Sequence, residues 1–278
     1  MSVTRLWNAT LGRGMTRRLM KWILPDLIWN QQIYGTVLQK YINRETRWLD
    51  LGCGWRLLGK DLEPIEDGLV KTANSVVGCD MDFNSVSKHR NIRKLVLGSG
   101  DDLPFQNGSF DLVTCNMVVE HFRDPKKAFS EMARVLSPGG YLIVHTPNLL
   151  NYAVLLNHTV MRWLPRKSVL ALIQFADTRK EDDIFITFYR ANTARKLARV
   201  CGEFGLKEET HRLLTPPRPF LGFFAPLALI QIVLMRMTMS KYFRRFGATI
   251  LMVLKAEGAG RRQTETDRNS DFHLQRVG

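Results

Sequence analysis

The residues best suited to ligand chemistry stand at the end of an apolar run, in the stretch Leu49 to Gly54. Its sequence, LDLGCG, carries an aspartate and two glycines in close succession. Glycine has no Cβ, so a ligand can approach the backbone at Gly52 and Gly54. The third glycine of a dinucleotide fingerprint is absent because position 57 is leucine. A ligand site against a glycine turn is therefore predicted, without the pyrophosphate cradle of a dinucleotide.

Two carboxylates flank this turn in the predicted arrangement. Asp80 ends the next apolar run, and a carboxylate there can accept hydrogen bonds from both hydroxyls of a ribose. Asp50, inside the first run, is suited to hold a ligand's ammonium group through the loop or through a water. Both aspartates are therefore candidate binding residues.

The adjacent pair Glu120 and His121 is the candidate for acid–base chemistry. A neutral imidazole is available near pH 7 to take a proton from a hydroxyl group. The sequence leaves equally open that His121 only caps the loop before the next helix.

The elements that must position these residues alternate between strands and helices. Predicted helices cover Asp82–Arg90, Asp124–Leu136 (stopped by Pro138-Gly-Gly140) and the stretch from Asn192 or Thr193 to Phe204. The predicted strands are Arg47–Leu51, Ser75–Asp80, Lys94–Leu97, Phe110–Cys115, Tyr141–His145, Leu206–Leu214 and Ala248–Leu254. This alternation predicts a doubly wound α/β fold with helices on both faces of a parallel sheet. In such folds, ligands lie beyond the carboxyl ends of the strands.

Four motifs follow one another along the chain, from about Thr46 to Asn148. They are LDLGCG (49–54), VVGCDMD (76–82), DDLPFQNGSFDLVTCNMVVEH (101–121) and KKAFSEMARVLSPGGYLIVHTPN (126–148). In this order they resemble the class I S-adenosylmethionine-dependent methyltransferases. The resemblance implies a Rossmann-like, mostly parallel, seven-stranded sheet with an antiparallel last strand and helical insertions. It also implies S-adenosylmethionine as the cofactor and methyl transfer as the reaction.

The resemblance assigns positions around that cofactor. Asp80 falls on the ribose, and Met81 falls beside the adenine. The residues that fall at the methionine moiety are Asp50, Gly52, Cys53 and Gly54.

Farther along, the chain departs from the family pattern. An acidic or amide residue usually contacts the adenine amino group, but Ser99 and Gly100 occupy these places, and Asp101 is the expected substitute. Asn116 falls where the family's backbone contacts the cofactor near its sulfur. Ubiquinone-biosynthesis O-methyltransferases resemble the Glu-His stretch but have a further glutamate where this chain has Met117. Because that glutamate contributes to a metal site, no metal is predicted here.

The chain is strongly basic, and the charge is uneven. Its 278 residues carry 40 Lys+Arg and 26 Asp+Glu, a net charge of +14. The flanks 1–47 and 211–246 hold much of this excess, and 211–246 contains no acidic residue. Basic, apolar flanks favour contact with an anionic surface over uniform nucleic-acid binding. The alternatives are an RNA methyltransferase or nucleic-acid-binding module, and an inactive cofactor-binding partner protein.

The composition and length predict how the chain is organised. We expect a basic N-terminal helical segment (1–45), a methyltransferase domain (46–256) and a disordered polar tail (257–278). Insertions 147–188 and 214–246 are expected to cover the acceptor, a small-molecule or lipid-like compound. The four cysteines form no CxxC pair and no secretion signal is convincing, so a cytoplasmic location is expected.

The segment Phe220–Met239 is long enough to suggest a membrane span, yet it contains Pro226, Gln231 and Arg236. It also lies between two predicted strands of one sheet, so we expect it to lie in a membrane interface rather than to cross the bilayer. Packing as an internal helix is the open alternative. A second basic and apolar contact is predicted at residues 17–24.

The residues 145–148, which end the fifth strand, are expected to line the acceptor pocket.

Overall fold

Seven strands form one sheet within residues 14–163, 186–216, 219 and 225–257, which the computed structural model describes. They are β1 (Arg47–Leu51), β2 (Ser75–Asp80), β3 (Lys94–Leu97), β4 (Phe110–Asn116), β5 (Leu136–Pro147), β6 (Leu206–Leu214) and β7 (Thr249–Ala256). Their order is β3-β2-β1-β4-β5-β7-β6. Strands β1 to β5 pair in parallel, whereas β7 is antiparallel to both β5 and β6. The predicted mostly parallel sheet with an antiparallel last strand is confirmed.

Helices connect and flank the strands in the described part of the chain. They are α1 (residues 14–23), α2 (Asn30–Tyr41), α3 (Glu63–Thr72), α4 (Phe83–Val86), α5 (Pro125–Val135), α6 (Tyr152–Trp163), α7 (Ala194–Gly202) and α8 (Ala225–Thr238). Short 3-10 turns cover Lys60–Leu62, Val119–His121 and Arg244–Phe246.

Two hydrophobic cores follow from the alternation of side chains along each strand. Trp48 and Leu112 lie on the face covered by α2 and α3, in a core that includes Leu38. Leu49 and Val113 point to the opposite face, where α5 and α7 complete the second core. The doubly wound arrangement is therefore confirmed.

Helix α5 and strand β5 meet without a loop. Asp124 caps the helix by accepting two backbone N–H groups of its first turn. The helix predicted over Asp124–Leu136 is observed as Pro125–Val135, with those two residues as its caps. The predicted start of the fifth strand at Tyr141 is wrong, because the strand begins at Leu136 and includes Pro138-Gly-Gly140. The strand's early residues pair with β4 through a bulge, and Gly140 lies so close to the β4 backbone that a Cβ would come within 3.0 Å of the Asp111 carbonyl.

The helix predicted over Asp82–Arg90 is only one turn long, Phe83–Val86. Asp82 caps it as expected, accepting two backbone N–H groups. The chain then leaves the helix because the Arg90 N–H donates to the Trp55 carbonyl (3.0 Å) and its guanidinium pairs with two carboxylates of α3. Tertiary contacts thus override a helical pattern.

The later elements lie close to their predicted places. Thr193 caps α7 by accepting a backbone N–H, and Gly205 follows the helix with φ +73°. Strand β6 has the predicted bounds, whereas β7 begins one residue and ends two residues later than predicted.

The loop before β7 is fixed at the carboxyl end of β5. Asn148 donates from Nδ2 to the carbonyls of Arg245 (3.0 Å) and Gly247 (2.8 Å), and Asn151 donates to the Phe246 carbonyl (2.8 Å). The segment that connects α8 to β7 therefore lies on the sheet edge where β1, β4 and β5 also end.

Several predicted segments fall partly outside the described residues: the N-terminal segment (1–13), the first insertion (164–185), the start of the apolar segment (220–224) and the tail (258–278). The domain boundaries therefore stay predictions. Within the part of the chain that is described, no helix combines the length and apolar character needed to cross a membrane.

Candidate active site

A turn with two glycines follows the carboxyl end of β1 and is hydrogen-bonded to the carboxyl end of β2. Gly52 has φ +72°, and its N–H donates to the Cys79 carbonyl (2.7 Å). A Cβ on Gly52 would lie 2.2 Å from Cγ2 of Val118, so this position accepts only glycine. Gly54 has φ +55° and open space where its Cβ would stand. The turn therefore presents bare backbone at the sheet edge.

Asp80 closes this turn from the neighbouring strand. Its Oδ2 accepts the Gly54 N–H (2.8 Å) and its Oδ1 accepts the Asp82 N–H (2.9 Å). Each carboxylate oxygen has two lone pairs, so each can accept one further hydrogen bond. The half-buried carboxylate is thus held rigidly with acceptor capacity for two hydroxyl groups.

Asp50 lies beneath the turn rather than at its surface. It is buried, and its carboxylate accepts a hydrogen bond from the Thr114 hydroxyl, which in turn accepts from Nε1 of Trp48 (2.7 Å). Burial raises the pKa of Asp50 to about 7, opposed by the Thr114 hydrogen bond and reinforced by the nearby Asp80 carboxylate. A cation bound above the turn would favour the ionised form of Asp50.

The other predicted cofactor residues divide into buried and exposed groups. The Cys53 side chain is buried, and a Cβ on Gly78 would come within 2.8 Å of its Sγ, so only the Cys53 backbone can meet a ligand. Met81, in contrast, is 72% exposed beside the turn.

The residues after β3 form a compact turn at the same edge. The Ser99 hydroxyl donates to the Asp101 carboxylate, which fixes both side chains. Gly100 packs tightly, because a Cβ there would lie 3.2 Å from Leu51 and 3.3 Å from Phe122. The structure therefore brings the predicted residues of β1, β2 and the turn after β3 to three adjacent strand ends.

The side chain of Asn116 is fully engaged in a network on the α2 face. Its Oδ1 accepts from Nε2 of Gln31 (3.2 Å) and Nδ1 of His145 (2.9 Å), while Nδ2 donates to Gln31 (3.1 Å) and to the Leu57 carbonyl (3.1 Å). Only the backbone of Asn116 is left to meet a cofactor, as the family pattern implies.

The residues that end β5 are structural and do not line an open pocket. His145 is buried and stacks on Tyr34, and its second ring nitrogen hydrogen-bonds Oγ1 of Thr249 (3.0 Å). Burial lowers the pKa of His145 to about 4, so the ring is neutral. Thr146 and Asn148 are buried as well. The expectation that residues 145–148 line the acceptor pocket is corrected.

Glu120 and His121 lie in the loop after β4, and a distant segment is bound to this loop. The buried Glu120 carboxylate accepts from the Thr146 hydroxyl (3.0 Å), and the Glu120 carbonyl accepts from the N–H groups of Phe188 (2.7 Å) and Tyr189 (3.1 Å). Nδ1 of His121 donates to the Ile186 carbonyl (2.8 Å). In the neutral ring this leaves the lone pair on Nε2, which lies 3.9 Å from the Glu120 carboxylate.

Comparisons with known proteins identify this arrangement. A family model described as "Methyltransferase domain" matches residues 49–144. The demethylmenaquinone methyltransferase of Corynebacterium glutamicum (strain R) is 33% identical over 158 residues, which cover 52% of this chain and 67% of that protein. The chain belongs to the S-adenosylmethionine-dependent methyltransferases.

Further relatives and structures agree with this placement. The demethylmenaquinone methyltransferase of Corynebacterium kroppenstedtii is 32% identical, and the match covers 53% of this chain and 65%, slightly less than two thirds, of the relative's length. The methyltransferase solved with the Trm112 activator of Haloferax volcanii superposes with a TM-score of 0.53 at 16% identity, covering 92% of this chain and 99% of that one. A [4+2]-cyclase, SpnF, superposes with a TM-score of 0.51 at 13% identity, covering 90% and 97%. Such identities show the fold alone, and the cyclase shows that this fold does not fix the reaction.

The residues of the turn fit S-adenosylmethionine, the cofactor of this family. Asp80 has acceptor capacity for the two ribose hydroxyls, and the open backbone at Gly54 leaves room for a ligand. The exposed Met81 offers an apolar surface to an aromatic ring. When bound, this cofactor supplies an electrophilic methyl group on a sulfonium sulfur. Among the described residues, no cluster of three His, Cys, Asp or Glu side chains could hold a metal ion.

Two residues with strained backbone lie beside the Glu120–His121 loop and were not predicted from the sequence. Met117 and Tyr189 have φ of +59° and +52°, the only positive values among the described non-glycine residues. They flank the Glu120–His121 loop in space, and such strain concentrates at functional sites. Tyr189 is buried, with its ring 5.1 Å from that of His158. Neither residue type signals left-handed backbone, so the sequence carries no mark of this feature.

Proposed function

We propose that this methyltransferase transfers the methyl group of S-adenosylmethionine to a hydroxyl of an apolar, lipid-like acceptor at an anionic membrane surface. The contact between Gly52 and Val118 carries the proposal, because it joins the cofactor turn to the loop that holds His121. A methyl group bound at the turn and a proton acceptor on the loop are then neighbours.

Glu120 and His121 have different roles in the proposed reaction. A hydroxyl oxygen must be aligned with the sulfonium methyl carbon, so orientation and exclusion of water are the main tasks of the site. As the new oxygen–carbon bond forms and the sulfur–carbon bond breaks, Nε2 of His121 accepts the hydroxyl proton. Glu120 acts as a positioning residue, because its carboxylate and carbonyl hold the loop to Thr146 and to residues 188–189.

The relatives support an apolar small-molecule acceptor. The Corynebacterium proteins are named for the methylation of a demethylated menaquinone. We extend only the class to this chain, namely an apolar, quinone-like or lipid-like small molecule. O-methylation is the part of the proposal that rests on His121.

The two sides of α8 support work at a membrane. On its buried side, Ile232 and Met235 pack against Leu24, which follows α1. The alternative that this segment is an internal helix therefore holds for one side of α8. The other side exposes large apolar side chains to solvent: Leu227, Leu229, Ile230, Val233 and Met237. An exposed apolar patch of this kind is typical of an interaction surface.

Basic residues border this apolar surface. The exposed ones are Arg17, Arg18, Lys21, Arg236, Lys241, Arg244 and Arg245. Each contributes about 1 kcal/mol near an anionic membrane. The loop that carries Arg245 is fixed at the carboxyl end of β5, so the apolar and basic surface lies at the edge of the sheet that carries the site. An acceptor would have a short path from bilayer to site.

All four cysteines are free, which suits the reducing cytoplasmic side of that membrane.

A labelled methyl donor tests the reaction and the acceptor class together. The enzyme is incubated with S-adenosylmethionine carrying a labelled methyl group and with either a membrane lipid extract or total RNA. We expect label in the organic-solvent extract. Mass spectrometry in deuterated solvent should then show one exchangeable hydrogen fewer in the product, because O-methylation removes a hydroxyl proton. Label in RNA, or an unchanged number of exchangeable hydrogens, would contradict the proposal.

A further inference from the structure

We propose that Arg56 is a cofactor-binding residue that takes the carboxylate of the cofactor's methionine end. This inference rests on the proposed placement of S-adenosylmethionine on the turn that ends at Gly54. Arg56 follows that turn by two residues, outside the set of positions that the family resemblance assigns.

The guanidinium of Arg56 is held in a defined place. It stacks on the ring of Trp55, with 3.9 Å from Cζ to the ring centroid. The Trp55 backbone is itself fixed, because its carbonyl accepts the Arg90 N–H. A cation stacked on an aromatic face is pre-oriented, so little conformational freedom remains to be lost when an anion binds.

The hydrogen-bonding capacity of this guanidinium is only partly used. Nη2 of Arg56 lies 3.5 Å from the Glu63 carboxylate, at the long end of an ion pair. Its Nε is buried and has no hydrogen-bond partner within the described part of the chain. A buried donor without a partner is costly, and a planar carboxylate matches the fork of an arginine. An anion could pair with the terminal nitrogens of this fork, which the 3.5 Å ion pair with Glu63 uses only weakly.

The neighbouring Arg90 shows what a purely structural arginine looks like here. Its Nε donates to Glu66 (3.1 Å), and its terminal nitrogens pair with Asp67 and reach the Glu63 carbonyl. Arg56 has a weaker network, although both side chains lie near the start of α3.

The charge pattern of the turn also calls for a cation at this place. Asp50 and Asp80 give the turn two carboxylates, which would repel an anionic ligand group. The methionine end of the cofactor carries both an ammonium and a carboxylate. Asp50 suits the ammonium, and Arg56 supplies the matching positive charge for the carboxylate.

Two ligands that differ by the amino-acid group test this assignment. S-adenosylhomocysteine carries the carboxylate, whereas 5′-methylthioadenosine has the nucleoside and sulfur without it. By calorimetry, Arg56→Gln should weaken binding of S-adenosylhomocysteine by roughly 10- to 100-fold, as expected for a lost charge-assisted hydrogen bond. Binding of 5′-methylthioadenosine should change less than about twofold because that ligand has no group for Arg56 to bind.

Matched variants make the outcome specific. Lys60→Gln removes the same charge from an exposed position nearby and should leave both affinities unchanged. Arg56→Lys keeps the charge without the fork and should give an intermediate loss for S-adenosylhomocysteine alone. This variant also carries the test if thermal melting shows that Arg56→Gln does not fold.

The results distinguish a failure of the role of Arg56 from a failure of the proposed cofactor placement. Equal weakening of both ligands, or no weakening of either, would overturn the role of Arg56. If the unmodified protein binds neither ligand, the cofactor placement itself fails.

Discussion

The cofactor side and the acceptor side of the candidate site are held by contacts of different range. On the cofactor side, Asp80 binds the Gly54 N–H across two adjacent strands, and the turn closes on itself. On the acceptor side, the loop with Glu120 and His121 is held by backbone groups of Ile186, Phe188 and Tyr189, more than 60 residues along the chain.

This difference suggests how one scaffold separates two recognition tasks. In the proposed function, groups fixed by neighbouring strands of the sheet would bind the methyl donor, the part of the reaction that stays constant. Groups fixed by an incoming segment would form the part that varies with the acceptor, as is general for loops on rigid scaffolds. Gly52 and Val118 are the point where the two sides touch.

The largest expected effect separates chemistry from cofactor binding. If His121 is the proton acceptor, His121→Ala should lower kcat by roughly 10² to 10⁴. Its affinity for S-adenosylhomocysteine should stay unchanged, because the cofactor turn is untouched. His211→Ala is the control, since His211 is exposed on β6 and its side chain hydrogen-bonds a local glutamate among the described residues. A drop in kcat of less than tenfold would reduce His121 to a structural residue.

Two buried ionisable groups, Asp50 beneath the cofactor turn and His145 in β5, should respond to pH with opposite sign. The pKa of Asp50 is raised to about 7, so between pH 4 and 7 the folded protein keeps a proton that the unfolded chain releases. Its contribution to stability is present below pH 4 and is lost as pH rises, by up to about 4 kcal/mol. The pKa of His145 is lowered to about 4, so its contribution is lost as pH falls from 6.5 toward 4.

Urea unfolding between pH 4 and 8 measures both dependences. Relative to the unmodified protein, Asp50→Asn should gain stability as pH rises, because it removes a buried acid that must ionise. His145→Gln should instead gain relative stability as pH falls below 6.5. Parallel pH profiles for the two variants would contradict the assignment of opposite shifts.

The sequence predicts the cofactor side better than the acceptor side, because the first is held by contacts between neighbouring strands and the second by contacts with distant residues. Short motifs predict the cofactor side well, LDLGCG for Gly52 and Gly54 and VVGCDMD for Asp80, because the contacts of these residues lie within one turn or one strand away. The strained backbone of Met117 and Tyr189 leaves no such signal, because distant hydrogen bonds impose it. The short α4 has the same cause: its pattern continues to residue 90, and contacts with α3 end it early.

The burial of residues 145–148 shows a further limit of the sequence. Position at the end of a strand predicts exposure to the ligand, but β7 pairs along the full end of β5 and α2 covers it. Nδ2 of Asn30 donates to Oγ1 of Thr249 (2.9 Å), a residue 219 positions along the chain. No local sequence pattern indicates such a contact.

On the cofactor side alone, Asp80→Ala should weaken S-adenosylhomocysteine binding by about 1.5–3 kcal/mol, the usual value of hydrogen bonds to a charged group. Asp82→Ala removes a neighbouring acid that caps α4 and should change the affinity little. Calorimetry compares the two. Equal losses for both variants would mean that Asp80 acts only through the local fold.

The smallest effect concerns the approach of the acceptor. Vesicle sedimentation should show binding to anionic vesicles that falls with salt, and Arg244→Gln with Arg245→Gln should weaken it by roughly fivefold per charge. The matched control is Lys40→Gln with Arg44→Gln, which removes two exposed charges near the start of β1, at the opposite sheet edge. Equal partitioning into neutral and anionic vesicles, or none into either, would rule out this mode of docking.

The measurement that tests the meeting of the two sides most directly is a crystal structure with S-adenosylhomocysteine bound. We expect the ribose hydroxyls on the Asp80 carboxylate and the sulfur beside the Asn116–Met117 backbone, facing the loop that holds His121. A sulfur pointing away from that loop, or a ligand bound away from the ends of β1 and β2, would contradict the account.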